Sequence, residues 1–132
     1  MGQLVFNFSD AEKQSIKDIL VDYSNKAKYQ LSLEMFMEQW KNLVDDLRTE
    51  YLLSIDDYIN DLDTREILQD IMNSCSDNKD FIEWVVEIDN HFLNLTTEVN
   101  RPLVPAVNNN PIGWWWYRIP KNRHEDFRDK TS

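Results

Sequence analysis

Leu33-Glu-Met-Phe-Met-Glu-Gln-Trp-Lys-Asn-Leu-Val-Asp-Asp-Leu-Arg-Thr-Glu-Tyr51 is the stretch that decides the fold. Its apolar residues Leu33, Phe36, Met37, Trp40, Leu43, Val44, Leu47 and Tyr51 recur at three- and four-residue steps, the period of one face of an α-helix. Ser32 precedes it as an N-cap. A stripe this wide belongs against other helices, so its Met and Trp residues read as packing and not as a cofactor box.

Upstream, Ser9-Asp-Ala-Glu12 is a capping box, and Ile16, Ile19, Leu20, Tyr23 and Ala27 give a helix from 10 to 28 one apolar face. Val5, Phe6 and Phe8 stand in front of it as a hydrophobic staple or a short extended arm. Downstream, Ser54 opens a third element with Asp56 and Asp57 in its first turn, where the helix dipole favours anions. Its apolar set Ile55, Tyr58, Ile59 and Leu62 slips phase to Ile67, Leu68, Ile71 and Met72 at Asp63-Thr-Arg-Glu66. That slip predicts a kink or two short helices meeting near Asp63. Ser74 to Asn78 reads as a loop, and Phe81, Trp84, Val85, Ile88, Phe92 and Leu95 line a fourth helix from 79 to 97.

At Arg101-Pro102 the texture changes. Pro102, Pro105, Pro111 and Pro120, with Asn108 to Asn110 and Gly113, exclude a helix across most of the remaining chain. Trp114-Trp-Trp-Tyr-Arg-Ile119 has strand or extended propensity. The expected fold is all-α: one domain over 1–132, a four- to five-helix antiparallel bundle over 9–100, and an extended Pro/Trp-rich C-terminal strap over 101–132.

The 132 residues suffice for one domain with a real core, and 42% hydrophobic content with two Gly is not a disordered composition. Against 14 Lys+Arg stand 24 Asp+Glu, a net charge of −10. That sign argues against phosphate-neutralising nucleic-acid binding and against docking on an anionic membrane. No apolar run reaches membrane-span length, Met1 to Lys13 has neither a basic start nor a long apolar stretch, and a cytoplasmic protein is the expectation. The charge is uneven. Residues 1–100 hold 21 acids and 8 bases, whereas residues 101–132 hold 3 acids and 6 bases.

Catalytic chemistry finds little support. Asp57, Asp61 and Asp63 lack the central Gly of an EF-hand loop and fall in a helical pattern. Glu83, Glu87 and His91 sit at four-residue spacing, whereas di-iron helices use a three-residue Glu-to-His step, twice. Cys75 has His91 and His124 as partners to consider but no oxyanion loop or nucleophile elbow. Gly2 and Gly113 are the only glycines, too few for a phosphate cradle. No catalytic residue, metal or cofactor is assigned, and the chain is expected not to be an enzyme. A carboxylate–metal hydrolase is the minor alternative.

Recognition is the task that remains. The window from Asp45 to Asp70 carries nine acids, Asp45, Asp46, Glu50, Asp56, Asp57, Asp61, Asp63, Glu66 and Asp70, against Arg48 and Arg65. Asp46/Glu50, Asp57/Asp61 and Glu66/Asp70 are like-charge i,i+4 pairs, each costing a few tenths of a kcal/mol in an isolated helix. A chain selected for stability alone could have placed Lys there. The alternatives are a solvated face, or neutralisation by Arg118, Arg123 and Arg128 of the tail. Three consecutive Trp cannot all face one core on an extended chain, so one of them, with Trp115 in the middle, is a second candidate contact.

In size, charge and helicity, with the Asp45–Asp70 cluster as the relevant region, the chain resembles the small acidic immunity proteins of bacterial bacteriocin and contact-dependent inhibition systems. That resemblance implies a cytoplasmic antidote to a cognate basic toxin domain, often a nuclease, with no nucleic acid or membrane partner of its own. No residue's role is carried over from it. The competing expectation is a helical adaptor or regulatory protein binding through the tryptophan segment.

Overall fold

A computed structural model describes residues 6–27, 31–104 and 113–123. The chain is mostly helical: α1 (Asp10–Ala27), α2 (Leu33–Leu47), α3 (Ile55–Ser74) and α4 (Lys79–Leu95) are followed by a small two-stranded sheet. The N-terminal signals act as the chemistry requires. Ser9 and Glu12 exchange backbone bonds at 2.8 and 3.1 Å. Ser32 caps α2, Ser54 and Asp57 form a full capping box on α3, and Asn78 caps α4.

The α2 stripe is the centre of the core, with Trp40, Leu43, Val44 and Leu47 all buried. The helix ends at Leu47, however, and not at Tyr51. Tyr51 is buried from the loop beyond it, where its N–H donates to the Asn122 carbonyl at 2.7 Å. A periodic apolar residue can reach the core without being helical.

Two separate helices do not meet at Asp63: α3 runs as one helix through Asp63-Thr-Arg-Glu66. The phase slip has another cause. Helix α3 packs against α1, α2 and the tryptophan turn, so it buries Tyr58, Leu62, Thr64, Arg65, Leu68, Ile71 and Met72 over more than one face. A helix with neighbours on several sides needs no single stripe.

The N-terminal aromatics reach a different helix. Phe6 and Phe8 meet Phe81 of α4 edge-on at 5.7 and 5.6 Å. Val5 lies outside the described residues.

Trp114–Tyr117 forms a 3-10 turn and not an extended strand. After it, β2 (Arg118–Pro120) pairs antiparallel with β1 (Thr96–Glu98), Thr97 opposite Ile119. The turn explains how two of three adjacent Trp are buried. Trp115 and Trp116 are 3% and 4% exposed, whereas Trp114 keeps 37%. A three-residue-per-turn backbone does not alternate sides as a strand does. Gly113 is needed here for space, because a Cβ at this position would overlap the Trp115 ring.

Candidate acidic groove between α2 and α3

The nine acids of the window do not form one uniform face. Several are engaged within the chain. Asp45 pairs with Lys41 and Arg48 at 3.2 and 3.4 Å, both at the surface. Asp57 caps α3, accepting from the Ser54 hydroxyl at 3.0 Å. Asp61 accepts from the Tyr51 hydroxyl at 3.0 Å, Glu66 from the Trp116 indole at 2.9 Å, and Asp70 from the Tyr23 hydroxyl at 2.7 Å. Burial and the facing carboxylates raise the phenol pKa of Tyr23 and Tyr51. These tyrosines therefore remain donors. Asp46, Glu50, Asp56 and Asp63 are exposed.

Helices α2 and α3 bring a subset together. A groove of about 380 Å³ between them is lined by Asp46, Asp61 and Asp63, with Gln39, Asn42, Asn60 and Thr64 supplying further polar atoms. Phe36, Leu43 and Ile67 form its apolar part, and among the described residues no Lys or Arg lines it. Loss of water around its carboxyl raises the pKa of Asp61, the Tyr51 hydroxyl partly offsets this, and Asp46 and Asp57 add to it. Asp63 is raised as well, by desolvation and then by Glu66. Both groups are thus carboxylates whose ionised form the fold disfavours.

The tail does not quench this groove among the described residues. The Arg118 guanidinium donates to the Leu93 carbonyl and to the Thr96 hydroxyl and carbonyl, and Arg123 donates to the Pro120 carbonyl. Arg128 lies outside the described residues.

Arg65, counted in the sequence as a base within the acidic window, is turned inward. It is 2% exposed and holds Asp89 of α4 through two bonds of 2.8 Å. Asp89 also accepts from the Trp40 indole at 3.0 Å, Gln69 takes a third Arg65 donor, and the Trp115 ring lies 4.5 Å from the guanidinium carbon. The surface of the window is therefore more negative than its residue count suggests. Trp115, expected at a partner surface, is instead the lid on this pair; Trp114 is the exposed one of the three. Sequence reasoning missed the pair, although Arg65 and Asp89 each fall at a core-phase position between buried neighbours.

The other chemical candidates carry less. Cys75 is buried, and its thiol is pushed up to about 11 by burial and by Glu12, far from the thiolate a nucleophile needs. Glu83, Glu87 and His91 lie on an exposed face of α4, and among the described residues no group of three or more His, Cys, Asp or Glu could hold a metal ion. A larger cleft of about 610 Å³ lies between the starts of α1 and α4, but its Ser9, Glu12 and Asn78 are occupied in capping those helices. No helix of the described residues is long and apolar enough to cross a membrane. Comparison with family models, curated proteins and solved structures finds no match to this chain.

Proposed function

We propose that this chain is an immunity-type protein that binds and neutralises a cognate basic toxin domain, nuclease-like in its positive cleft, by seating that domain's Lys and Arg side chains in the α2/α3 groove. The observation that carries this reading is Asp46, Asp61 and Asp63 converging on a groove with no base among its described lining residues, two of the three held at raised pKa. A partly desolvated carboxylate without a cation costs stability, and an incoming cation returns it. The same field steers a basic partner to the groove, and carboxylates there stand where substrate phosphates would on a nuclease. In this reading the helices form an antiparallel bundle that the described tail residues 113–123 strap, with the β1–β2 pairing and the Trp116–Glu66 bond in support. The protein acts in the cytoplasm, without a cofactor. The adaptor alternative is left with Trp114 as the exposed residue of the tryptophan segment, since Trp115 and Trp116 are buried.

The test is a binding titration against the product of the adjacent upstream gene, with Asp46→Lys/Asp61→Lys/Asp63→Lys beside the native chain. Asp57 is left intact because it caps α3. The expected result is a one-to-one complex that weakens with salt and weakens by orders of magnitude on triple reversal. Binding that is indifferent to both overturns the proposal.

A further inference from the structure

Leu52 is the most exposed large apolar side chain among the described residues, at 67%, and its neighbour Leu53 stands at 47%. The loop that carries them is held at both ends. On one side Tyr51 is buried, its N–H bonded to Asn122 and its hydroxyl to Asp61 of the groove. On the other, Ser54 is fixed in the α3 capping box with Asp57. A loop anchored this way has little freedom to fold its leucines inward, so their exposure is a built feature and not the excursion of a slack connection. Acids surround the pair in sequence: Asp46 and Glu50 before it, Asp56, Asp57 and Asp61 after it. Of the nearby bases, Arg48 is paired with Asp45, while Arg123 donates to the Pro120 carbonyl and keeps its charge.

We infer that Leu52 and Leu53 are the apolar anchor of the interface whose charged part is the α2/α3 groove. The occupant is a basic protein segment carrying a bulky apolar side chain beside its Lys or Arg residues. This inference rests on the groove reading and adds the chemistry that selects among basic segments. Charge complementarity names the sign of the occupant. The leucines add a demand that a purely polycationic chain does not meet. Interfaces divide labour in this way: rim charges govern association rate and salt dependence, while desolvated apolar anchors govern dissociation.

The experiment compares two fluorescent synthetic peptides of equal length and charge, one of Lys-Leu-Leu-Lys repeats and one of Lys-Ser-Ser-Lys repeats, titrated against the full chain and followed by anisotropy. The native chain is expected to bind the leucine peptide about tenfold more tightly than the serine peptide. Leu52→Ser/Leu53→Ser, exposed substitutions checked for an unchanged melting curve, is expected to erase that preference while leaving serine-peptide binding and its salt dependence intact. Persistence of the preference in that variant overturns the anchor alone. Failure of both peptides to bind the native chain overturns the groove reading and the anchor with it.

Discussion

Two charged arrangements draw on α3, and they are handled in opposite ways. Inside, Arg65 and Asp89 are matched one to one, tied by four hydrogen bonds to each other, Trp40 and Gln69, and sealed by Trp115. Outside, Asp46, Asp61 and Asp63 share a groove that no described base lines. The same helix completes an ion pair toward the core and turns carboxylates toward a groove with no Lys or Arg among its described lining residues. Functional sites are where proteins hold such locally unfavourable groups.

The inner pair is the more sensitive of the two. Asp89→Ala strands a buried guanidinium, and is expected to cost about 3–5 kcal/mol in urea denaturation. Replacing both partners with apolar residues, Arg65→Met/Asp89→Leu, should cost much less than Asp89→Ala alone; an equal loss contradicts the pairing argument. Next in size is the lid. Gly113→Ala forces a methyl group into the space of the Trp115 ring, and about 1–3 kcal/mol of destabilisation is expected, visible as a lower melting temperature.

The outer acids are expected to respond with the opposite sign. Asp61→Asn/Asp63→Asn should raise stability at neutral pH by about a few tenths of a kcal/mol, since both sites keep contact with water and surface substitutions have small effects. The pH dependence is set by the direction of the shifts. Both carboxyls bind protons more tightly folded than unfolded, so the native chain gains stability from them as pH falls through the raised folded pKa toward 3.8. Denaturation curves across that range should therefore show the advantage of the double variant at pH 7 shrinking in acid. An advantage that grows in acid would refute the placement of these charges. The smallest effect concerns Cys75: a thiol reagent should label the native chain hardly at all, and promptly in denaturant.

Legibility from the sequence tracked the range of the interaction. The Ser9-Glu12 box and the Ser32 and Ser54 caps were readable because a cap is settled within four residues. The α2 stripe was readable because one face met one core. The α3 pattern was ambiguous, since a helix touched on several sides loses its single period, and the slip at Asp63 allowed two helices where there is one. Arg65 was counted with the surface charges although its spacing from Leu62 and Leu68 put it in core phase. Nothing local says that Asp89, on another helix, would be there to meet it. The groove was half legible. Its acids were named, but so were Asp45, Asp57, Glu66 and Asp70, which serve pairs, caps and aromatic donors within the chain.

By itself, then, the sequence determined the helices, their caps and the concentration of negative charge between Asp45 and Asp70, because periodicity, capping and charge are properties of neighbours along the chain. Tertiary structure alone decided which of those charges are spoken for. Whether a carboxylate is a cap, half of a buried pair or an open acceptor depends on what stands opposite it in space. Only the packing of α2 against α3 and α4, with Trp115 closing over Arg65, brought Asp46, Asp61 and Asp63 to one groove, Asp61 while also accepting from Tyr51, and turned Arg65 away from it.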